Sequence, residues 1–315
     1  MGTITASDVT ISSTGGLCAT LATDRGEGTV KCTGCTLSTA GAGSPLIYST
    51  GTITVSKTTG TASGAKMEVV EGKNTAIVQE SSSLKCSGVE NRNNVDDCGI
   101  FLYQSMSGDT DVWTSSFTCT NSTFEIESSS SVYSSAPMLF ITNTDSEINL
   151  NSCSFSYGSG TFLSAKAISE WGTSGSNGGS VTLTLTNQKI EGDFIVDSIS
   201  SLSITMVNSS IKGKINTDKE STDISITLDA ASFITLTGNS YISSLSNADT
   251  SGSNVNKGSY EFTDNEGNEY PATCSSSSTT VAKTTAASTA AANSTVASTD
   301  AADSTISSTG QLIQP

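Results

Sequence analysis

Apolar and hydroxylated residues alternate along much of this chain, and between Ser180 and Leu245 the alternation recurs as a repeat. Residues 183–194 read LTLTNQKIEGDF and residues 204–215 read ITMVNSSIKGKI, an offset of 21. Leu183 aligns with Ile204, Leu185 with Met206, Asn187 with Asn208, Ile190 with Ile211, Gly192 with Gly213 and Phe194 with Ile215. A looser third copy follows at an offset of 22: Ile226-Thr-Leu228, then Phe233, with Thr235 in the place of the glycine. Period-two alternation predicts strands with one buried face. The asparagine and the glycine fall where the chain has to bend.

A unit of about 20 residues, with brief strands and no helix, cannot bury its apolar face alone, whereas stacked copies can. The pattern therefore predicts an all-β fold, a single-stranded right-handed parallel β-helix over residues 1–274. Leu183, Ile204 and Ile226 should then stack on one inner face. The competing fold is a β-sandwich or Greek key. Shorter alternating runs carry the same reading back to Ile4, through Ile53, Val69 and Phe124, joined by the apolar runs Ile100-Phe101-Leu102 and Met138-Leu139-Phe140-Ile141. Three stretches depart from it: residues 89–97, 105–115, and 166–180 with Trp171 and four glycines. Tyr260 and Phe262 are the expected cap. Residues 275–315 form a second segment of different character. Positions 275–310 hold 28 Ser, Thr or Ala out of 36 and no aromatic residue, a composition that predicts a disordered tail or linker, stalk-like in its hydroxyl content.

Composition narrows the chemistry. Lys and Arg number 14 against 30 Asp and Glu, a net charge of −16, which argues against nucleic acid and anionic lipid as partners. No apolar run has the length needed to span a bilayer, so direct membrane insertion is not expected. Histidine is absent, and with it the commonest general base and zinc ligand. Eight cysteines fit an oxidising compartment, with Cys32–Cys35 and Cys86–Cys98 the expected local disulfides. Asn121, Asn208 and Asn293 begin N-glycosylation sequons.

The stretch from Pro137 to Ala272 resembles adhesin-like right-handed parallel β-helix proteins of microbial surfaces. The residues that carry the likeness are Pro137-Met-Leu-Phe-Ile-Thr-Asn-Thr-Asp145, Trp171-Gly172 with Gly178-Gly179, Gly192-Asp193, and Leu236-Thr-Gly-Asn-Ser-Tyr241-Ile242. The resemblance covers under half the chain and implies a secreted or surface-displayed scaffold. The expected function is thus a non-enzymatic extracellular or cell-surface module that binds glycans or cell-surface proteins through loops. Trp113, Trp171, Arg92, Asp96 and Asp97 are the candidate ligand-binding residues. One alternative is a polysaccharide lyase or hydrolase, for which Arg92 beside Asp96-Asp97 is the one cluster with suitable chemistry. Another is an ice-binding solenoid, suggested by Thr182-Leu-Thr184-Leu-Thr186 and Thr235-Leu-Thr237; the rung Ser203-Ile-Thr205-Met-Val207 interrupts that array. No cofactor is expected. Asp109 and Asp111 are weak calcium candidates, with Asp96 and Asp97 a further pair, because carboxylates are hard oxygen ligands.

Overall fold

The computed structural model describes residues 2–273, apart from Gly26, Glu27, Asn91, Asn93, Asp109 and Trp113. The tail from 275 onward, Cys274 and Asn293 lie outside the described residues, as do the expectations placed on Trp113 and Asp109. Every regular element among the described residues is a strand, and no helix there is long and apolar enough to cross a membrane. Consecutive strands do not pair with each other. Each pairs in parallel with the strand one coil further on, which makes the fold a parallel β-helix of ten coils.

The longest sheet takes the first strand of every coil, in the order Thr3–Ser7, Thr29–Thr33, Thr52–Ser56, Thr75–Gln79, Ser115–Thr120, Thr144–Asn151, Gly179–Thr186, Ser201–Val207, Ile224–Leu228 and Ser244–Asn247. Period-two alternation sends one set of side chains inward. Ile53, Ala76, Phe117, Ile148, Leu183, Ile204 and Ile226 occupy one inner column, buried and in register, as the sequence predicts.

A second sheet runs through six coils from Thr10–Ser13 to Ser154–Ser156 and resumes as four strands from Lys189–Glu191 to Val255–Asn256. At the break, the Gln188 side chain accepts from the Cys153 N–H (2.9 Å) and donates to the Cys153 carbonyl (2.6 Å). The amide thereby supplies hydrogen bonds where the strand ladder is interrupted. A third sheet takes Leu21–Ala22, Ile47–Ser49, Glu68–Glu71, Ile100–Tyr103, Leu139–Thr142, Thr161–Ala165 and Asp193–Val196.

The corner between the first and second sheets is the tightest. Its first residue is left-handed in most coils: Asp8, Gly34, Lys57, Asn121, Ser152, Asn187 and Asn208. Asparagine tolerates that region, and Asn208 Nδ2 donates to Asn187 Oδ1 at 2.8 Å along the corner column. The next residue turns its hydroxyl into the wall. The Ser209 hydroxyl accepts from the Gln188 N–H, and the Ser232 hydroxyl from the Ser209 N–H, at 3.0 and 3.1 Å. The glycines of the repeat have another role. Gly213 lacks a left-handed φ, but a Cβ there would lie 2.0 Å from the Gly192 carbonyl oxygen, so two coils meet too closely for any side chain.

The third repeat copy differs in detail from its expected alignment. Ile234, not Phe233, pairs with Ile211 and points inward; Leu236 takes the glycine position, and Phe233 is exposed. The solenoid also continues past Leu245 for a further coil, which Phe262 closes from a strand paired with Ser240–Tyr241.

Disulfides join Cys32 to Cys35, as expected, and Cys119 to Cys153. The expected Cys86–Cys98 bridge is not formed; both are buried free thiols. Cys86 packs with the interior core, while Cys98 packs with a separate cluster of side chains on the outer face of the third sheet.

Candidate functional site

Strands of the third sheet are buried on both faces over Glu68–Glu71, Ile100–Tyr103 and Leu139–Thr142. Ile100–Tyr103 and Leu139–Thr142 are near-continuous apolar runs, the signature of a sheet covered on both sides, while Glu68–Glu71 places a carboxylate at each end of Val69-Val70. Val70, Ile100, Leu102, Leu139 and Ile141 fill the solenoid, while Val69, Phe101, Tyr103 and Phe140 face outward and pack with Val95, Cys98 and Trp171. The cover is built by the stretches that break the repeat. Residues 89–98 enter the third strand of the fourth coil, and residues 166–178 leave that of the sixth.

Aromatic rings step along this outer face. Phe101 stacks on Phe140 at 5.4 Å and on Tyr103 at 4.6 Å, and Trp171 lies 4.5 Å from Tyr103. The Arg92 guanidinium sits 4.9 Å from the Trp171 ring centre and 5.8 Å from that of Tyr103. Trp171 is only 8% exposed. It forms the floor beneath Arg92, so it does not offer a free ring to a ligand.

The charged residues around this layer are paired. Lys66 and Glu90 form an ion pair with side chains 4% and 5% exposed, and Arg92 Nε lies 3.4 Å from Glu90 Oε1. Burial alone would push the Glu90 carboxyl up; the adjacent Lys66 and Arg92 outweigh that and hold it below its ordinary value. Glu71 is buried and accepts hydrogen bonds from both Tyr48 and Tyr103. Burial first, and the adjacent Glu71 carboxylate with it, raise both phenols well above the ordinary tyrosine range; the Tyr103 contact raises Tyr48 further, whereas Tyr48 and Arg92 partly offset the rise at Tyr103.

The predicted Arg92–Asp96–Asp97 cluster is dispersed. Asp96 pairs with Lys166 at 2.5 Å, and Asp97 Oδ1 accepts from the Glu90 N–H at 2.7 Å. Both carboxylates tie the cover together, and Arg92 turns to Glu90 instead. The Asp111 carbonyl accepts from the Lys73 N–H. Among the described residues no group of three or more Cys, Asp or Glu is placed to hold a metal ion.

Beside the cover runs a groove of about 420 Å³, with Leu17, Pro45 and Val89 as apolar walls and Tyr48, Tyr103 and Arg92 at its polar end. A second hollow of about 400 Å³ is lined by Gln104, Met106, Thr110 and Val112 on one side and Asn143, Gly172 and Ser176 on the other. All three predicted loops thus serve one face. Tyr48, Lys66, Glu71, Glu90 and Tyr103 were not singled out from sequence. The available signal was the lack of alternation in Ile100-Phe-Leu-Tyr103, which calls for a covering layer. Comparison with family models, curated proteins and solved structures returned no match to this chain.

Proposed function

We propose that this chain is a non-enzymatic, extracellular or cell-surface display module, adhesin-like in role, which binds glycans through the groove on the third-sheet face. One observation carries the reading: the departures at 89–97, 105–115 and 166–180 all border that face, with Val89, Glu90 and Arg92 lining the groove itself and residues of the other two lining the hollow beside it. Chain length spent on loops at one place, over a rigid scaffold, is the usual arrangement of a binding site. The groove joins apolar walls to phenol, guanidinium and carboxylate groups, which suits a sugar ring with one C–H face and several hydroxyls. Disulfides are at home in an oxidising compartment. Asn121 and Asn208 stand exposed at turn positions open to glycosylation. The segment after Cys274 would then serve as a spacer.

A glycan array probed with the full chain, followed by titration of each hit, tests this. Arg92→Ala is expected to weaken a bound glycan about tenfold, the effect of losing roughly 1.4 kcal/mol of contact. Absence of any glycan binding would remove the reading. A polysaccharide depolymerisation screen runs beside it. Turnover abolished by Asp96→Asn or Asp97→Asn would replace the display module with an enzyme.

A further inference from the structure

The outer face of the ten-stranded sheet carries an array that the sequence hides. Its first outward column, in register from coil to coil, is Thr3, Thr29, Thr52, Thr75, Ser116, Glu147, Thr182, Ser203, Ser225 and Ser244. The second, two residues along each strand, is Thr5, Lys31, Thr54, Ile77, Thr118, Asn149, Thr184, Thr205, Thr227 and Ser246. Sixteen of these 20 positions bear a hydroxyl and two bear a charge, so the face is a nearly uncharged hydroxyl lattice. The rung Ser203-Ile-Thr205-Met-Val207 does not interrupt the array: Ser203 and Thr205 stand in register with Thr182 and Thr184, and only Val207 departs.

We propose that this face adsorbs to ice. Rows of the lattice repeat at about 4.8 Å between coils and about 6.6 Å along each strand, with no register shift in any pairing of this sheet. Eleven of the 16 hydroxyls belong to threonine, whose β-branch fixes χ1, so hydroxyl and methyl positions are set before any contact. Ser225 donates to Ser203 at 3.1 Å, and Ser201 to Ser180 at 3.2 Å, which orders hydroxyls further along the solenoid.

Other occupants fit less well. Phosphate-bearing polymers and lipid surfaces need cations. A protein partner needs an apolar centre with aromatic anchors. A crystalline polysaccharide needs flat rings to stack on, and the only large apolar residue in the two columns is Ile77. The remaining surface is one made of water, to which regular hydroxyls donate and from which they accept. The second sheet begins with similar columns but changes to Lys85, Glu125, Lys189, Glu191 and Lys212 further along, which makes it a built-in control.

The test is ice-recrystallisation inhibition and thermal hysteresis with the full chain. The parent should shape ice crystals and hold a hysteresis gap. Thr182→Lys with Thr205→Lys, both exposed, should lose the gap, whereas Thr36→Lys with Thr59→Lys on the second sheet should keep it. Circular dichroism checks the fold of each variant; if the lysine pair fails to fold, Thr182→Tyr, which strands favour, replaces it. No activity in the parent overturns the proposal. So does equal loss from both faces, or retention on powdered cellulose or chitin with no effect on ice. Because the groove lies on another sheet, Arg92→Ala should leave ice activity unchanged, so the two functional readings fail separately.

Discussion

Glu68 is the residue least at ease in this fold. It shares an inner column of the third sheet with Ile47 and Ile100, is fully buried, and neither carboxyl oxygen has a hydrogen-bond partner. Burial raises its pKa to about 8, so the folded chain carries it as a neutral acid at pH 7. Between the ordinary carboxyl range and pH 8, the unfolded chain has released this proton and the folded chain has not. The unfolded state then binds fewer protons, and stability falls as pH rises through that window before levelling off. Glu68→Gln removes the ionisation and keeps the shape. The variant should gain on the parent between pH 5 and pH 9, by up to about 4 kcal/mol at 1.36 kcal/mol per unit over the three units from pH 5 to about 8. Urea unfolding of both proteins at the two pH values measures it, and parallel pH dependences would refute the assignment. Cys86, also buried, has its thiol pushed up to about 12 by burial, which matches an inert core residue more than a reactive one.

At the scale of the element, what was legible in the sequence depended on strand parity. Leu183, Ile204 and Ile226 could be aligned because each first strand alternates cleanly and one face is buried. Phe233 points outward because the turn Asp229–Ser232 holds one residue more than its counterpart in the coil before, and one extra residue swaps the faces of the following strand. The Asp229 carboxylate, which accepts from the Asn208 and Ala231 N–H groups, stabilises that longer turn. The groove was not legible. Tyr48, Glu71 and Tyr103 come from three coils, and only the register of the third sheet brings them together. Nor did spacing reveal that Cys86 and Cys98 fall in different packing layers, since 12 residues along a solenoid wall can end inside or outside it. Repeat glycines give a direct test of coil contact. Gly213→Ala places a Cβ against backbone of the adjacent coil, and should cost about 2 kcal/mol or more through steric strain. Gly175→Ala adds a Cβ in open space at a left-handed φ, and should cost only about 1 kcal/mol. Thermal unfolding ranks the two; equal losses would mean the coils separate more easily than their packing implies.

Across the whole solenoid, each coil touches mainly its two neighbours, so local stability is set by how completely each coil is covered. The first coil has a neighbour on one side, and Ile4, Val9 and Leu17 remain 65%, 39% and 83% exposed. The middle coils have more. Phe117, Phe124 and Ile148 fill the interior, the aromatic layer with Trp171 covers the third sheet from outside, and Cys119–Cys153 fastens the fifth coil to the sixth. A bridge closing a loop of that length limits the unfolded ensemble by roughly 3 to 4 kcal/mol. Amide hydrogen exchange should therefore be uneven along the chain. Peptides from 115–126 and 139–151 should exchange most slowly, those from 3–13 fastest, and those from 201–213 between them. Cys119→Ser with Cys153→Ser, which leaves the Cys32–Cys35 bridge in place, should accelerate the middle peptides selectively and leave the first coil unchanged. Uniform protection with all peptides opening together would mean that the ten coils unfold as one unit, and that the cover on the third sheet adds nothing to the stability of the coils beneath it.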